Sequence, residues 1–524
     1  MWNEATREAL WAQVAAEPWD LIVVGGGITG AGVLREAARR GLRALLVEQR
    51  DFAWGASSRS SKLVHGGLRY LAQLQLGVTR DSVRERERLL REAPGLVEPL
   101  GFALAAYRGE GPGLAAYAAA LAVYDGLGGR RDHRRHRAAE FALLAPGLAD
   151  AGLAGGMTYG DAQTDDARLV LRLLREAAAD GAAALSYVGA EGLVREAGRV
   201  RGVRLRDGAG REAEARAAVV VNATGPWADR LRGQLGKPPV MRPLRGSHLV
   251  FPAWRLPAAQ AISFPHPDDR RPVFACPWEG ATIVGTTDVD HGEGLAREPR
   301  IAPAEAAYLL DAVARRFPAL GLTAADVIAT WAGVRPVVGS GAADPSKESR
   351  DHVVWAEDGL LTVTGGKLTT FRLLAREALR AAAPLLPAAP AVAPAPRAFD
   401  APPPLPAVAG LDAARRRRLA GRYGAEAAAV VAAARPGELE PIAHTATLWA
   451  ELRWAARAEG VRHLDDLLLR RTRLGLLLPA GGTAILPGVA AICAAELGWD
   501  AARWEAEAAR YRRIWDESYS MPGA

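Results

Sequence analysis

The stretch DLIVVGGGITGAGVLREAARRGLRALLVEQ, residues 20–49, decides the fold. Residues 21–24 are an apolar run of strand length, followed at once by Gly25-Gly26-Gly27-Ile28-Thr29-Gly30. In such a turn Gly25 permits the tight bend, Gly27 lets backbone approach a pyrophosphate, and Gly30 lets the next helix pack on the strand. The helix N-terminus then offers unpaired N–H groups and the positive end of its dipole to phosphate. Gly41 stops the helix, residues 44–47 make a second strand, and Glu48 sits at its end beside Gln49. A carboxylate there holds a ribose hydroxyl and repels a 2′-phosphate, which disfavours NADP and leaves FAD or NAD. Strand, glycine triad, helix, strand and terminal acid together define a dinucleotide site.

Two later segments separate flavin from nicotinamide. Residues 219–221 lead into Asn222-Ala223-Thr224-Gly225, a strand ending in small residues. It resembles the segment by which flavoproteins of the glutathione-reductase and amino-acid-oxidase types pass close to their FAD. Residues 361–364 lead into Gly365-Gly366-Lys367-Leu368-Thr369-Thr370, a strand, a glycine turn and a second helix start. The resemblance implies that this helix end points at the flavin N1–C2=O edge, where reduction accumulates negative charge. A second glycine fingerprint is missing, as is a CxxC pair, so direct reduction by a small substrate is expected.

Farther out, 524 residues are too many for one core. We expect an α/β chain: a Rossmann-type FAD-binding domain from residues 1–85, 150–240 and 330–383. A mixed-sheet substrate (cap) domain, residues 86–149 and 241–329, is interleaved with it. The Pro/Ala-rich residues 384–409 read as a linker, and 410–524 as a separate all-α C-terminal domain. Residues 80–92 read as a helix with a charged, solvated face. Cys276 and Cys493 read as core thiols, and no metal-ligand set is apparent. No secretory signal is visible in residues 1–20, which carry acids and lack a long apolar stretch. The uncharged residues 474–495 contain Pro479, Gly481, Gly482, Pro487 and Gly488, so two short helices around a turn fit better than a membrane span.

The net charge of +7 is carried mostly by arginine, with Lys62, Lys237, Lys347 and Lys367 the lysines. No nucleic-acid module accompanies it, which favours an anionic membrane or an anionic substrate. Residues 113–124 are apolar and lead toward Arg130, Arg131, His133, Arg134, Arg135, His136 and Arg137. These read as a surface helix and basic loop, or as an interfacial helix on anionic lipid.

With these residues in view, the chain resembles the FAD-dependent glycerol-3-phosphate dehydrogenases over nearly its whole length. The most specific string is SSRSSKLVHGGLRY, residues 57–70. Further matches are Asp165-Asp166-Ala167-Arg168-Leu169, Ala223-Thr224-Gly225-Pro226-Trp227, Arg245-Gly246-Ser247-His248, Gly285-Thr286-Thr287-Asp288 and Gly333-Val334-Arg335-Pro336. The segment 365–370 belongs to the same set, as does the C-terminal run 465–476 with Arg470-Arg471-Thr472-Arg473.

The resemblance implies oxidation of sn-glycerol 3-phosphate to dihydroxyacetone phosphate, with the C2 hydride passing to FAD N5 and electrons to a membrane quinone. It implies non-covalent FAD held by Gly25, Gly27, Ile28, Thr29, Gly30, Glu48 and Gln49, and by Ser57, Ser58, Ser61, Lys62, Leu63, His65, Gly66 and Gly67. Val188, Ala223, Thr224, Gly225, Trp227, Gly366, Lys367, Leu368 and Thr369 complete that set. A phosphate monoester needs several cationic donors, for which Arg69, Tyr70, Arg335, Arg350 and Lys367 are the candidates. His65 and His248 are alternative bases for the C2 hydroxyl, with Arg335 stabilising the developing alkoxide. A cytoplasmic protein attached peripherally to the inner face of the cell membrane is expected, without nucleic acid; a homodimer stays open. The rival readings are an oxygen-using glycerol-3-phosphate oxidase, an amine or amino-acid oxidase, and an inactive flavoprotein scaffold. No large inserted segment of the oxidase kind is present, and the cations favour phosphate over a lone carboxylate.

Overall fold

Strands Trp19–Val24, Ala44–Glu48, Ala183–Ser186 and Leu360–Gly365, with the second half of Glu212–Asn222, are mostly apolar and buried, as a covered parallel sheet requires. The computed structural model describes residues 2–68, 71, 75–341, 348, 352–386 and 397–523. Arg69, Tyr70 and Arg350 lie outside the described residues. The strand order is Leu360–Gly365, Glu212–Asn222, Trp19–Val24, Ala44–Glu48, Ala183–Ser186, with His352–Glu357 added antiparallel at one edge. Val24 pairs with Asn222 and with Val47, so the glycine turn, Glu48 and Ala223 emerge at one level. Helices Ile28–Arg39, Asp166–Ala179 and Phe371–Ala382 cover one face. The hairpin Val188–Glu196 and Arg199–Asp207, with Leu10 and Trp11 of helix Glu4–Gln13, covers the other.

A second, mixed sheet is built on the long strands Val97–Tyr107, Leu153–Thr164, Met241–Pro252 and Ala329–Val338. Leu153–Thr164 and Ala329–Val338 pair here, so the chain enters this sheet at residues beyond the division 86–149 and 241–329. Alternation of side chains gives this sheet two interfaces. Leu249, Phe251 and Val284 face helix Pro303–Arg316, whereas Val250 and Ile283 face Leu452, Leu467 and Leu468 of the C-terminal helices. The C-terminal helices form the expected all-helical domain, and its apolar core is shared with the second sheet.

Two local expectations change. Helix Leu76–Glu92 is not a solvated face, because Glu85, Arg86 and Glu87 are buried. Arg86 pairs with Asp161 at 2.8 Å, and the Glu85 carboxylate accepts from Arg372 Nε at 2.8 Å. The basic run is partly a strand, Arg134–His136, along the edge of Leu153–Thr164. The apolar stretch Pro479–Leu497 is interrupted by left-handed Ala480, Gly481 and Gly482. Helix Leu486–Leu497 has 12 residues. That gives about 18 Å against the roughly 30 Å of a bilayer core. Cys276 and Cys493 are buried free thiols.

Candidate active site

A cavity of about 320 Å³ opens at the carboxyl ends of the parallel strands and extends to the second sheet. One end is backbone. Gly25, Gly27, Ile28 and Thr29 line it, and a Cβ on Gly25 would lie 2.5 Å from the Ala223 carbonyl oxygen. Gly30 lies beneath this wall, where a Cβ would lie 1.9 Å from the Gly25 carbonyl oxygen. Ile28 N–H donates to Ser57 Oγ at 2.9 Å, and Gly27 supplies no side-chain cap. Glu48 is on the wall; its carboxylate accepts from Gly26 N–H at 2.8 Å and Arg50 N–H at 2.9 Å. Burial pushes its carboxyl above the usual range, against the pull of these two bonds. Gln49 and Val188 stand nearby on the wall. A helix N-terminus with no side chain at its N-cap, a glycine cradle and a carboxylate on the adjacent strand fit the pyrophosphate and ribose of FAD.

The other end is polar side chains. Ser61, Leu63, His65, His248, Arg335, Gly366, Lys367, Leu368 and Thr369 border it, with Ala223, Thr224, Gly225 and Trp227 between the two ends. His65 is half-buried, and its carbonyl accepts from Thr369 Oγ1 at 3.3 Å. Loss of water, then the charges of Lys367 and Arg86, push its imidazole down to about 3. His248 is stacked on Trp331 at 4.9 Å, and its Nε2 shares a hydrogen bond with Ser61 Oγ at 2.8 Å. Burial, then Arg335 and Lys62, hold it well below the ordinary histidine value. Both rings are thus neutral near pH 7.

Arg335 donates to Asp288 at 3.0 Å and to Thr286 Oγ1 at 3.0 Å. Its guanidinium lies over Gly246, where any Cβ would meet it at 2.1 Å. Lys367 Nζ donates to Ser82 Oγ at 3.1 Å. The site therefore presents two neutral imidazoles and two cations beside a dinucleotide cradle.

Ser58, Lys62, Gly66 and Gly67 are buried outside the cavity wall. Gly66 N–H donates to Tyr124 OH at 2.8 Å. Lys62 Nζ donates to Asp166 at 2.9 Å and to the Ser58 carbonyl at 2.7 Å. Burial and then Arg473 push its ammonium down to about 7. Trp54, Arg59, Arg230 and Pro336 do line the cavity and were not read from the sequence. Arg59 lay within the most specific string, so that signal was available; Trp54 and Arg230 had none.

The C-terminal arginines reach this wall from behind. Arg471 donates to Asp51 at 2.6 and 2.8 Å, joined by Arg470. Arg473 donates to the Ser58 carbonyl at 2.8 Å and also binds Asp166. Asp51 precedes Ala53, whose N–H donates to the Gly26 carbonyl at 3.0 Å, so the clamp bears on the glycine turn itself.

A dinucleotide cradle closed by a second sheet that carries neutral bases and cations defines a flavin-dependent oxidoreductase. Residues 20–372 match the family described as FAD dependent oxidoreductase, and residues 365–504 match the C-terminal domain of alpha-glycerophosphate oxidase. Glycerol-3-phosphate dehydrogenase 2 of Mycobacterium tuberculosis is 39% identical over 97% of this chain and 90% of its own. The aerobic glycerol-3-phosphate dehydrogenase of Bacillus subtilis is 39% identical over 70% of this chain and 67% of its own. The solved glycerol-3-phosphate dehydrogenase of Bacillus halodurans, complexed with FAD, superimposes with a TM-score of 0.76 at 29% identity, covering 98% of this chain and 96% of that one. The chain belongs to the family of FAD-dependent glycerol-3-phosphate dehydrogenases.

Proposed function

We propose that this protein oxidises sn-glycerol 3-phosphate to dihydroxyacetone phosphate with non-covalently bound FAD and delivers the electrons to a membrane quinone. The observation that carries the reading is the pairing of cations, Arg335 and Lys367, with neutral His65 and His248 at one end of the cavity. FAD, when bound, supplies a two-electron acceptor for the C2 hydride. Gly25, Gly27, Ile28, Thr29 and Glu48 would hold its pyrophosphate and ribose. Arg335 and Lys367 bind the substrate phosphate or its developing alkoxide, joined on the strength of the family string by Arg69 and Tyr70, with Arg350 a further cationic candidate. The bonds from Arg335 to Asp288 and Thr286 hold its guanidinium in place before substrate arrives. The C2 hydroxyl proton must leave, and an imidazole that is neutral near pH 7 is in the form that accepts it.

Attachment to the inner face of the cell membrane accompanies this reading, since a lipid-soluble quinone is reached there. The support is helix Leu114–Gly128, with Val123 49% exposed, beside exposed Arg131, Arg134, Arg135 and Arg137 and the 82% exposed Leu143.

Anaerobic addition of glycerol 3-phosphate to the yellow protein should bleach the flavin, and acid or heat should release the pigment from the precipitated chain. Bleaching by glycine or alanine instead would move the protein to the amine oxidases. Stoichiometric peroxide under air, with no quinone reduction, would make it an oxidase.

A further inference from the structure

His248 borders the cavity yet is poorly placed to touch a substrate. It is 2% exposed, its Nε2 is engaged by Ser61, and its Nδ1 is shielded from solvent with no hydrogen-bonding partner among the described residues. Ser61, by contrast, is only half-buried and lies on the cavity wall. We propose that the Ser61 hydroxyl is a catalytic residue of this enzyme, a proton relay between the C2 hydroxyl of the substrate and His248 Nε2. The proposal rests on the glycerol 3-phosphate reading above.

The turn that carries Ser61 is built to hold it still. Asp166, fully buried, accepts from Ser60 N–H at 2.9 Å, Ser60 Oγ at 2.7 Å and Lys62 Nζ at 2.9 Å, and also from Arg473. Ser61 thus sits between two residues bound to one carboxylate. Lys62 is left-handed, with φ 61°, a conformation rare for a residue with a Cβ and kept only where the surroundings enforce it. Its ammonium lies 4.7 Å from the Trp331 ring on which His248 stacks. One carboxylate therefore fixes both the serine and the ring support of the histidine.

The step balances as follows. The substrate C2–OH proton passes to Ser61 Oγ as the Ser61 proton passes to His248 Nε2. The C2–H bond breaks with its electron pair, and that hydride reduces the flavin. A ketone, an imidazolium and the reduced cofactor result. Arg335 and Lys62 disfavour the imidazolium before substrate binds, and the dianionic phosphate and the transferred negative charge both lessen that penalty during the reaction. The proton returns through the same hydroxyl once product leaves.

The test is stopped-flow anaerobic reduction of the bound flavin by glycerol 3-phosphate in wild type, Ser61→Ala, Ser61→Thr, His248→Gln and the double variant Ser61→Ala/His248→Gln. Ser61→Ala should slow reduction by about 10²- to 10⁴-fold with flavin content retained. Ser61→Thr should recover most of the rate, and the double variant should be no slower than the slower single one. In substrate-free protein the ¹⁵N resonance of His248 Nε2 should move in Ser61→Ala. A proton inventory in mixed H₂O and D₂O should curve for wild type, which needs no variant to fold. A wild-type rate in Ser61→Ala, additive losses in the double variant, or a linear inventory overturns the relay. A wild type that glycerol 3-phosphate fails to reduce overturns the substrate reading instead.

Discussion

Arg335 shows what a single side chain contributes when its surroundings are prepared for it. Its fork is held by Asp288 and Thr286, and Gly246 leaves the space it fills. Arg335→Ala should lower kcat/KM by roughly 30- to 1000-fold, the scale of about 2–4 kcal/mol for charge-assisted bonds in a desolvated site. Arg335→Lys keeps the charge but loses the planar fork, so it should fall between the two. Flavin content should stay at the wild-type level in both. An unchanged kcat/KM in Arg335→Ala would remove this residue from the substrate end. The arginine, both histidines and Lys367 were legible as residues because each sits in a short string with a defined chemistry. Lys62 is buried against Asp166 and does not line the cavity. It lies in the same string as Ser61 and His65, but whether it faces the cavity or Asp166 depends on a carboxylate 104 residues away.

At the scale of elements, the most consequential contact is the arginine run that ends the π-turn Asp466–Arg471 and continues to Arg473. The run was readable as a family string, whereas its partners were not, because Asp51 lies 420 residues from Arg471 and nothing local links them. Helix Leu76–Glu92 repeats the lesson: its alternating charges look solvated until Asp161 and Arg372 arrive from elsewhere. The clamp makes a pH prediction. Burial pushes Asp51, Asp165 and Asp465 up, but the neighbouring arginines outweigh it and hold all three below the usual range, Asp465 at about 2. A carboxylate depressed in the folded state stabilises fully above its unfolded value and loses that contribution as pH falls through its folded value. Clamp strength should therefore hold above about pH 3.9 and decline toward pH 2, with raised Asp466 working in the opposite sense. Arg471→Ala should reproduce part of the acid defect at neutral pH, costing up to about 3–5 kcal/mol, because Asp51 then keeps Arg470 as its one arginine partner among the described residues. The measurements are Tm and flavin retention against pH. Wild-type flavin retention and Tm in Arg471→Ala would show that the clamp does not support the cradle.

For the whole molecule, the two sheets and the helical C-terminus were legible from periodicity and glycine turns, while the sharing of one core between sheet and helices was not. The unbroken apolar run of residues 249–251 implies that both faces are covered, but not by what. The surface carries the remaining prediction. Arg131, Arg134, Arg135 and Arg137 are exposed beside the apolar helix Leu114–Gly128, whereas Arg130 is held by Glu87 at 2.5 Å. Changing Arg130, Arg131, Arg134, Arg135 and Arg137 to Ser should weaken co-sedimentation with anionic vesicles, at about 1 kcal/mol per basic residue near the lipid. Wild-type binding should fall as salt rises, since surface charges are screened within about 8–10 Å. Equal binding of both proteins at all salt concentrations would place the contact elsewhere. The clamp behind the glycine turn also has a consequence in time. Asp51 leaves the ribosome long before Arg471, and at about 5–20 residues per second the interval is roughly 20–80 s. Throughout that interval the nascent cradle lacks its rear support, and Tyr519, which accepts from Arg59 at 2.9 Å, comes later still. Firm retention of the flavin is thus an event of the finished polypeptide, and a stalled or shortened chain would be exposed as colourless.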